Sequence, residues 1–399
     1  MNQIRTGTHK RLWRWCAALT IVGTLVACDT TPTPTGPAPG GVPSPTSPSA
    51  RAPAPIVDVE PLPPVQHHGL SRWEPIRWNE LPGWGQDDLH AAWNAWIKGC
   101  ERPLQGHGAL CDEVRMLSIA SQAEQQDWVV KRFRPYRVVQ RDGVEPPGLL
   151  TGYYEPIMSA SRQPTASHRT PLYAPPPGLS AKRRWYSRKE IDTSAVAKAA
   201  LKDRAIAWVQ DPIDALILQI QGSGRVRISE PDGQVREVRL AFAGHNGHAY
   251  QSVGKWLLRQ RAISEGSWDA IKDWAARNPQ RLNEMLWSNP RTVFFREEAL
   301  SDLDAQFGPR GAQGVPLTPG RSIAVDPKSI PYGTPVWMAT QGEALNDRRL
   351  VLAQDTGGAI EGSVRADLFT GWGTQQDEAF LLAAGLKQPL QLWVLLPRN

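Results

Sequence analysis

The chain has few cysteines, almost no surplus of charge and no apolar run long enough to cross a bilayer. Its main hydrophobic stretch, Cys16–Val26, is too short to span a membrane stably and is not read as a transmembrane helix. The formal charge is +6, yet four of the 45 Lys and Arg and none of the 39 Asp and Glu lie in residues 1–27. The remainder carries 41 − 39 = +2, which excludes an electrostatic footprint for nucleic acid. Gly222-Ser223-Gly224 lacks the lysine of a phosphate loop, so no nucleotide is expected. His245 and His248 lie three apart with no cysteine or carboxylate motif to complete a ligand set. Neither a metal nor a cofactor is expected. Internal repeats are missing as well.

What is present begins with a secretion signal over residues 1–27. Arg5, Lys10, Arg11 and Arg14 form a cationic start, and Leu25-Val26-Ala27-Cys28 closes the apolar stretch. Small residues before a cysteine resemble the bacterial lipoprotein box. Cys28 is therefore the lipidation candidate, and a lipid anchor would hold the chain on the periplasmic face of a membrane. Asp29 resembles an inner-membrane retention signal. Residues 28–64 are dominated by Pro, Thr, Ser, Gly and Ala, which cannot bury enough apolar surface to offset ordering entropy. A disordered tether is expected there. Cys16 leaves with the signal, so Cys100 and Cys111 remain. An even pair in an exported chain suggests a short-loop disulfide worth about 3 kcal/mol, with two unpaired thiols as the alternative.

About 335 residues follow the tether, more than one hydrophobic core holds, which predicts two domains. Trp73, Trp78, Trp84, Trp93 and Trp96 crowd their start. At helical spacing, as over Asp87–Lys98, they read as core anchors, with stacking on sugar rings as the alternative. Strand character is expected from Asp127 and again over residues 148–158, and helix over Arg188–Val209. A hairpin should join Ala215–Ile228 to Val235–Phe242 through Asp232-Gly233. Three helices follow at Tyr250–Ala262, Trp268–Arg277 and Gln280–Trp287, then strand from Thr292 and short strands over Ile323–Leu396. Strands, helices and strands again suggest a β domain interrupted by an insertion.

Three aspartates follow apolar runs near the C-terminus. Asp326 follows Ile323-Ala324-Val325, Asp355 stands between Leu350–Ala353 and a Gly-Gly turn, and Asp367 precedes Leu368-Phe369. Burial disfavours an ionised carboxyl and raises its pKa toward the range of a general acid, and a neighbouring carboxylate raises it further. Acid catalysis on a sugar bond requires such groups. On pattern alone, turn aspartates that only cap backbone N–H groups are an equal alternative. Asp355-Thr356-Gly357 also matches the aspartic-protease triplet, but that chemistry pairs two such carboxylates and the chain has one triplet.

Five motifs carry a resemblance. They are Thr151-Gly152-Tyr153-Tyr154-Glu155-Pro156, Gln219-Ile220-Gln221-Gly222-Ser223-Gly224, Gly244-His245-Asn246-Gly247, Val325-Asp326-Pro327 and Asp355-Thr356-Gly357-Gly358-Ala359-Ile360. Together, from about Trp73 to the C-terminus, they resemble the MltA family of membrane-bound lytic murein transglycosylases, the last two falling in its 3D domain. The resemblance implies a mainly β (α+β) fold: a double-ψ β-barrel with an inserted smaller β domain and a substrate groove between them. Barrel 65–156, helix-containing insert 157–296 and barrel 297–399 are the expected divisions. It also implies cleavage of the β-1,4 bond between N-acetylmuramic acid and N-acetylglucosamine in peptidoglycan, leaving a 1,6-anhydromuramyl end. The family's catalytic carboxyl falls on Asp367, with Asp355 holding its environment negative and Asp326 fixing the loop. Thr151, Tyr153, Tyr154, Gln221, Ser223 and Asn246 are the candidate substrate contacts. Expected partners are peptidoglycan strands, other cell-wall enzymes and a membrane, the outer one by family. A non-catalytic wall-binding module and a hydrolase of the same bond are the rival readings.

Overall fold

Alternating apolar residues over 133–161 and 322–397 close a sheet upon itself. The computed structural model describes residues 58–180 and 182–398; the expected signal, Cys28 and most of the tether lie outside them. Strands β1 (Gln66–His68), β2 (Ser71–Pro75) and β3 (Phe133–Gln140) form an antiparallel meander. Between β2 and β3 run α1 (Leu89–Gly99), α2 (Gly108–Met116) and α3 (Gln122–Arg132). β4 (Leu149–Ser161) leads into an insert: β5 (Thr170–Tyr173), α4 (Arg188–Thr193), α5 (Ala195–Leu201), β6 (Ala205–Val209), α6 (Pro212–Gln221), β7 (Gly224–Ser229) and β8 (Val235–His245). It continues through α7 (Val253–Arg259), α8 (Trp268–Arg277), α9 (Leu282–Trp287) and β9 (Val293–Ala299). The chain then returns as β10 (Ser322–Val325), β11 (Pro335–Gln341), β12 (Asn346–Asp355), β13 (Arg365–Gly373), α10 (Glu378–Gly385) and β14 (Lys387–Pro397).

Strands β4, β13, β10, β12, β11 and β14 pair in that order, and β14 returns to β4, closing a six-stranded barrel. The β13–β4 and β10–β12 pairs are parallel and the others antiparallel. Period-two alternation divides each strand between two cores. Val336, Met338, Val351 and Ala353 point inward with Leu150, Ile323 and Leu368. Trp337, Leu350 and Leu352 point outward, under Trp93, Trp96, Val114 and Val129 of the helical layer. The indoles of Trp78 and Trp93 donate to Phe133 O and Val114 O, so these tryptophans are core anchors with satisfied polar tips. A Cys100–Cys111 disulfide ties the end of α1 to α2.

β4 serves two sheets. Through Pro156 it pairs with β13, and from Ile157 it pairs with β7. At the crossing the fully buried Glu155 accepts from Arg225 Nε at 2.9 Å and Arg239 Nε at 2.6 Å. The two guanidiniums also hold Ala305 O and Phe307 O, on the segment returning to the barrel. A single carboxylate thus fixes where the insert leaves and rejoins.

Several elements differ from expectation. The helix over 122–132 takes the place of the strand expected from Asp127, because Ser121 and Glu124 form a reciprocal capping box that outweighs the local valines. Asp211 caps and Pro212 opens a helix where the first half of a hairpin strand was expected. Its apolar residues Ile213, Ala215, Leu216, Ile217 and Leu218 are buried, some against the sheet and some against the other helices, which hides its period. Ala205–Val209 is a strand pairing with β5 rather than the end of a helix, and α10 was not foreseen. Asp58 and Glu60, assigned to the tether by composition, instead bind Arg134 at 3.2 and 3.0 Å. β9 also runs on to Ala299, past the expected end of the insert.

Replacing Glu155 by Ala would leave two buried guanidiniums without their counter-charge. Urea unfolding should then show a loss of about 3–5 kcal/mol; a loss below about 1 kcal/mol would contradict the role given to this residue.

Candidate active site

The short central strand β10 aligns the two carboxyls. Its residue Ala324 lies opposite Asp355 on β12 and opposite Asp367 on β13. Two strand spacings put their backbones roughly 10 Å apart. Regular alternation would have turned Asp355 inward like Val351 and Ala353. The register shifts instead between Ile323 and Ala324, leaving Gln354 as an extra residue. This bulge aims Asp355 to the same outer face as Asp367. Gln354 is pinned in place: it donates to Ala95 O at 2.8 Å and accepts from the Ser322 hydroxyl.

The parallel neighbour β4 supplies the next layer, with Thr151 beside Asp367 and Tyr153 beside Phe369. The Thr151 hydroxyl donates to Asp367 Oδ1 at 2.5 Å, and the Tyr153 hydroxyl donates to Asp355 Oδ2 at 2.9 Å. Gly152 between them faces α10 so closely that a Cβ there would come within 2.7 Å of Ala383 Cα. Only glycine lets the helix clamp this strand.

The environments push the two acids unequally. Asp355 also accepts from the N–H groups of Ala312, at 2.9 Å, and Thr356; burial still raises its pKa, against these donors and Tyr153. Asp367 has the single Thr151 donor. Burial pushes it to about 6, with the Asp355 charge adding to the rise, and Thr151 and Arg365 opposing it. Asp355 ionises first on this count of donors, and Asp367 keeps its proton longer. Tyr153, half-buried beside both acids, is held far on the neutral side and keeps the proton that it donates to Asp355.

Arg365 was not foreseen. Its Nη2 donates to Thr151 Oγ1 at 2.8 Å, which commits the Thr151 proton to Asp367 Oδ1 and leaves Oδ2 as the oxygen free to carry the acidic proton. The available signal was its place two residues before Asp367, on the same strand face. A cavity of about 740 Å³ is lined by Arg365, Leu149 and the loops around 140–147 and 361–364; neither acid lines it. Among the described residues, no group of three or more His, Cys, Asp and Glu side chains could hold a metal ion.

The other candidates are placed apart from the acids. Asp326 accepts from Lys328 N–H at 3.0 Å and Gly362 N–H at 2.9 Å, tying two loops together. Asn246 is fully buried and its amide is spent on Tyr186 O, Pro290 O and Thr292 N–H. Gln221 accepts from the Tyr154 N–H at 3.1 Å, the Tyr154 ring packs edge-on to Phe380, and Ser223 is buried. These three also serve the scaffold.

With the geometry set, the comparisons are direct. The MltA specific insert domain matches residues 149–296 and the 3D domain matches residues 321–396. A lytic transglycosylase, LtgG, of Burkholderia pseudomallei is 39% identical, with a TM-score of 0.55, covering 84% of this chain and 98% of that one. The chain belongs to the MltA family. Membrane-bound lytic murein transglycosylase A of Vibrio cholerae is 31% identical over 257 residues, 62% of this chain and 65% of its own length. The aligned stretch thus spans a little under two thirds of that relative. The crystal structure of Escherichia coli MltA with bound chitohexaose is 25% identical with a TM-score of 0.64, covering 82% of this chain and 95% of that one. The MltA-family fold is mainly β with helices, as the motifs implied.

A carboxyl with a raised folded pKa binds its proton more tightly folded than unfolded. Stability therefore declines as pH rises from the unfolded value near 4 to the folded value of about 6. Asp367→Asn removes that penalty. It should stabilise the protein at pH 7 by up to about 3 kcal/mol and have no such effect below pH 4, measured by unfolding at both pH values.

Proposed function

We propose that this protein is a lytic transglycosylase. It cleaves the β-1,4 bond between N-acetylmuramic acid and N-acetylglucosamine in peptidoglycan and forms a 1,6-anhydromuramyl end. The observation that carries this reading is a carboxyl, Asp367, whose pKa is raised to about 6 next to a second carboxyl on the same barrel face. Protonated Asp367 donates to the bridging oxygen as the glycosidic bond breaks through an oxocarbenium-like state. The carboxylate so formed takes the proton from the muramyl C6 hydroxyl, whose oxygen closes on C1 of the same ring. The nucleophile is tethered to the electrophile, so no water has to be positioned. One residue serves as acid and then as base, ending with the proton it began with.

The supporting residues act through these atoms. Thr151 and Arg365 orient the Asp367 carboxyl. Asp355, held by Tyr153 and Ala312 N–H, supplies negative charge that raises the Asp367 pKa and favours the cationic sugar. Asp326 fixes the adjoining loop. The glycan lies in a groove between a barrel (65–156 and 297–399) and an insert (157–296), a division supported by the change of partner along β4. The chitohexaose held by the Escherichia coli relative supports a glycan there. Relatives named membrane-bound support membrane attachment, here through lipid on Cys28 at the periplasmic face.

Sacculi treated with the protein should release 1,6-anhydromuropeptides, lighter by one water than hydrolytic products, on mass spectrometry. Asp367→Asn should lower the rate about a thousandfold. Reducing muramic acid ends instead would establish a hydrolase.

The acid must be protonated to act, so kcat/KM should fall as pH rises above about 6. Thr151→Val removes a donor to the ionised form and should move that limb to higher pH. A limb that stays in place would mean that another group sets it.

A further inference from the structure

Arg291 lies on the insert, just ahead of β9, and reaches the catalytic loop of the barrel. A Cβ built on Gly358, three residues after Asp355, would stand 3.1 Å from Arg291 Nη1 and 3.6 Å from Nη2. The absence of a side chain at Gly358 is what admits the guanidinium. Its one side-chain hydrogen bond among the described residues is to His248 O, at 3.4 Å. It forms no ion pair with any described carboxylate, although 21 other such pairs occur, among them the buried Arg225, Arg239 and Arg321 pairs. Half-burial pulls its pKa down, and no carboxylate lies close enough to offset this. Nearby His245 is itself held toward the neutral form, by burial first and by the Arg291 charge.

A half-buried guanidinium without a counter-ion is costly, and its planar fork matches a carboxylate. Here it stands against Gly358, on the loop that leaves Asp355, and a glycan in the proposed groove would pass near it. A neutral hexosamine chain offers it no anion. A muramyl residue does, through its lactyl group: the carboxylate is free where the peptide has been removed, and where a peptide is attached, that peptide carries carboxylates of its own.

We propose that Arg291 binds a carboxylate borne by the glycan and so makes the groove select muramyl chains over neutral ones. This rests on the groove being the glycan site.

The test uses the full chain carrying Asp367→Asn, so that ligands stay intact, with and without Arg291→Gln or Arg291→Lys. Calorimetry measures affinity for chitohexaose, for peptide-free murein glycan fragments and for peptide-bearing fragments. The preference for the anionic fragments over chitohexaose should fall about tenfold or more with Arg291→Gln, as expected for a lost charged hydrogen bond. Arg291→Lys should restore part of it. Loss confined to peptide-free fragments assigns the lactyl carboxylate; loss confined to peptide-bearing ones assigns the peptide. An unchanged preference for both, at an unchanged thermal midpoint, overturns the proposal. Failure of all three ligands to bind overturns the glycan reading with it. A wild-type protein that binds them without forming anhydro ends overturns the lyase reading alone.

Discussion

Withholding water from two carboxyls on one barrel face is the constraint on which the rest depends. In water both would ionise below pH 5 and neither could serve as an acid at neutral pH. Here Asp355 collects the donors, Tyr153 and two backbone N–H groups, while Asp367 has Thr151 alone. The inequality of donors favours ionisation of Asp355 before Asp367, so that Asp367 is the group that still holds a proton near pH 6, the arrangement from which acid–base division of labour arises.

The scaffold is arranged around that inequality. A single inserted residue, Gln354, turns Asp355 to the correct face, and its buried amide bonds make the bulge rigid. β4 places Thr151 and Tyr153 on the same layer and continues into pairing with β7, so the hydrogen-bond donors to the acid pair and the sheet of β7 share one strand. The Glu155 cluster locks the point of crossing. Relative movement of insert and barrel would therefore be felt at Thr151 within a few residues.

Much of this was legible in the residues. Period-two alternation and Gly/Pro turns identified the strands at Val235–Phe242 and over the C-terminal region, and Trp268–Arg277 matches the helix found. The motif set identified the family and pointed to the aspartates proposed as catalytic. Helices at 122–132 and 212–221 were missed because one is started by a capping box that begins eight residues before its valines and the other is apolar on nearly every side. The facing of Asp355 could not be read, since a bulge is set by pairing with a partner strand and leaves no local mark. Arg365 and Arg291 act by contacts to strands and loops far away in sequence. The hydrogen bonds by which Asn246 and Gln221 hold neighbouring segments could not be read from the sequence, because polar groups beside glycines fit a groove as well as they fit packing.

Carbon-13 titration of the side-chain carboxyls, with Asp355→Asn and Asp367→Asn used for assignment, reads the central claim without reference to any substrate. Asp367 should titrate near pH 6 and lose its proton after Asp355. A midpoint for Asp367 at or below 4 would leave only about one carboxyl in a thousand protonated at pH 7, against about one in ten for a midpoint of 6, and would contradict its role as the acid.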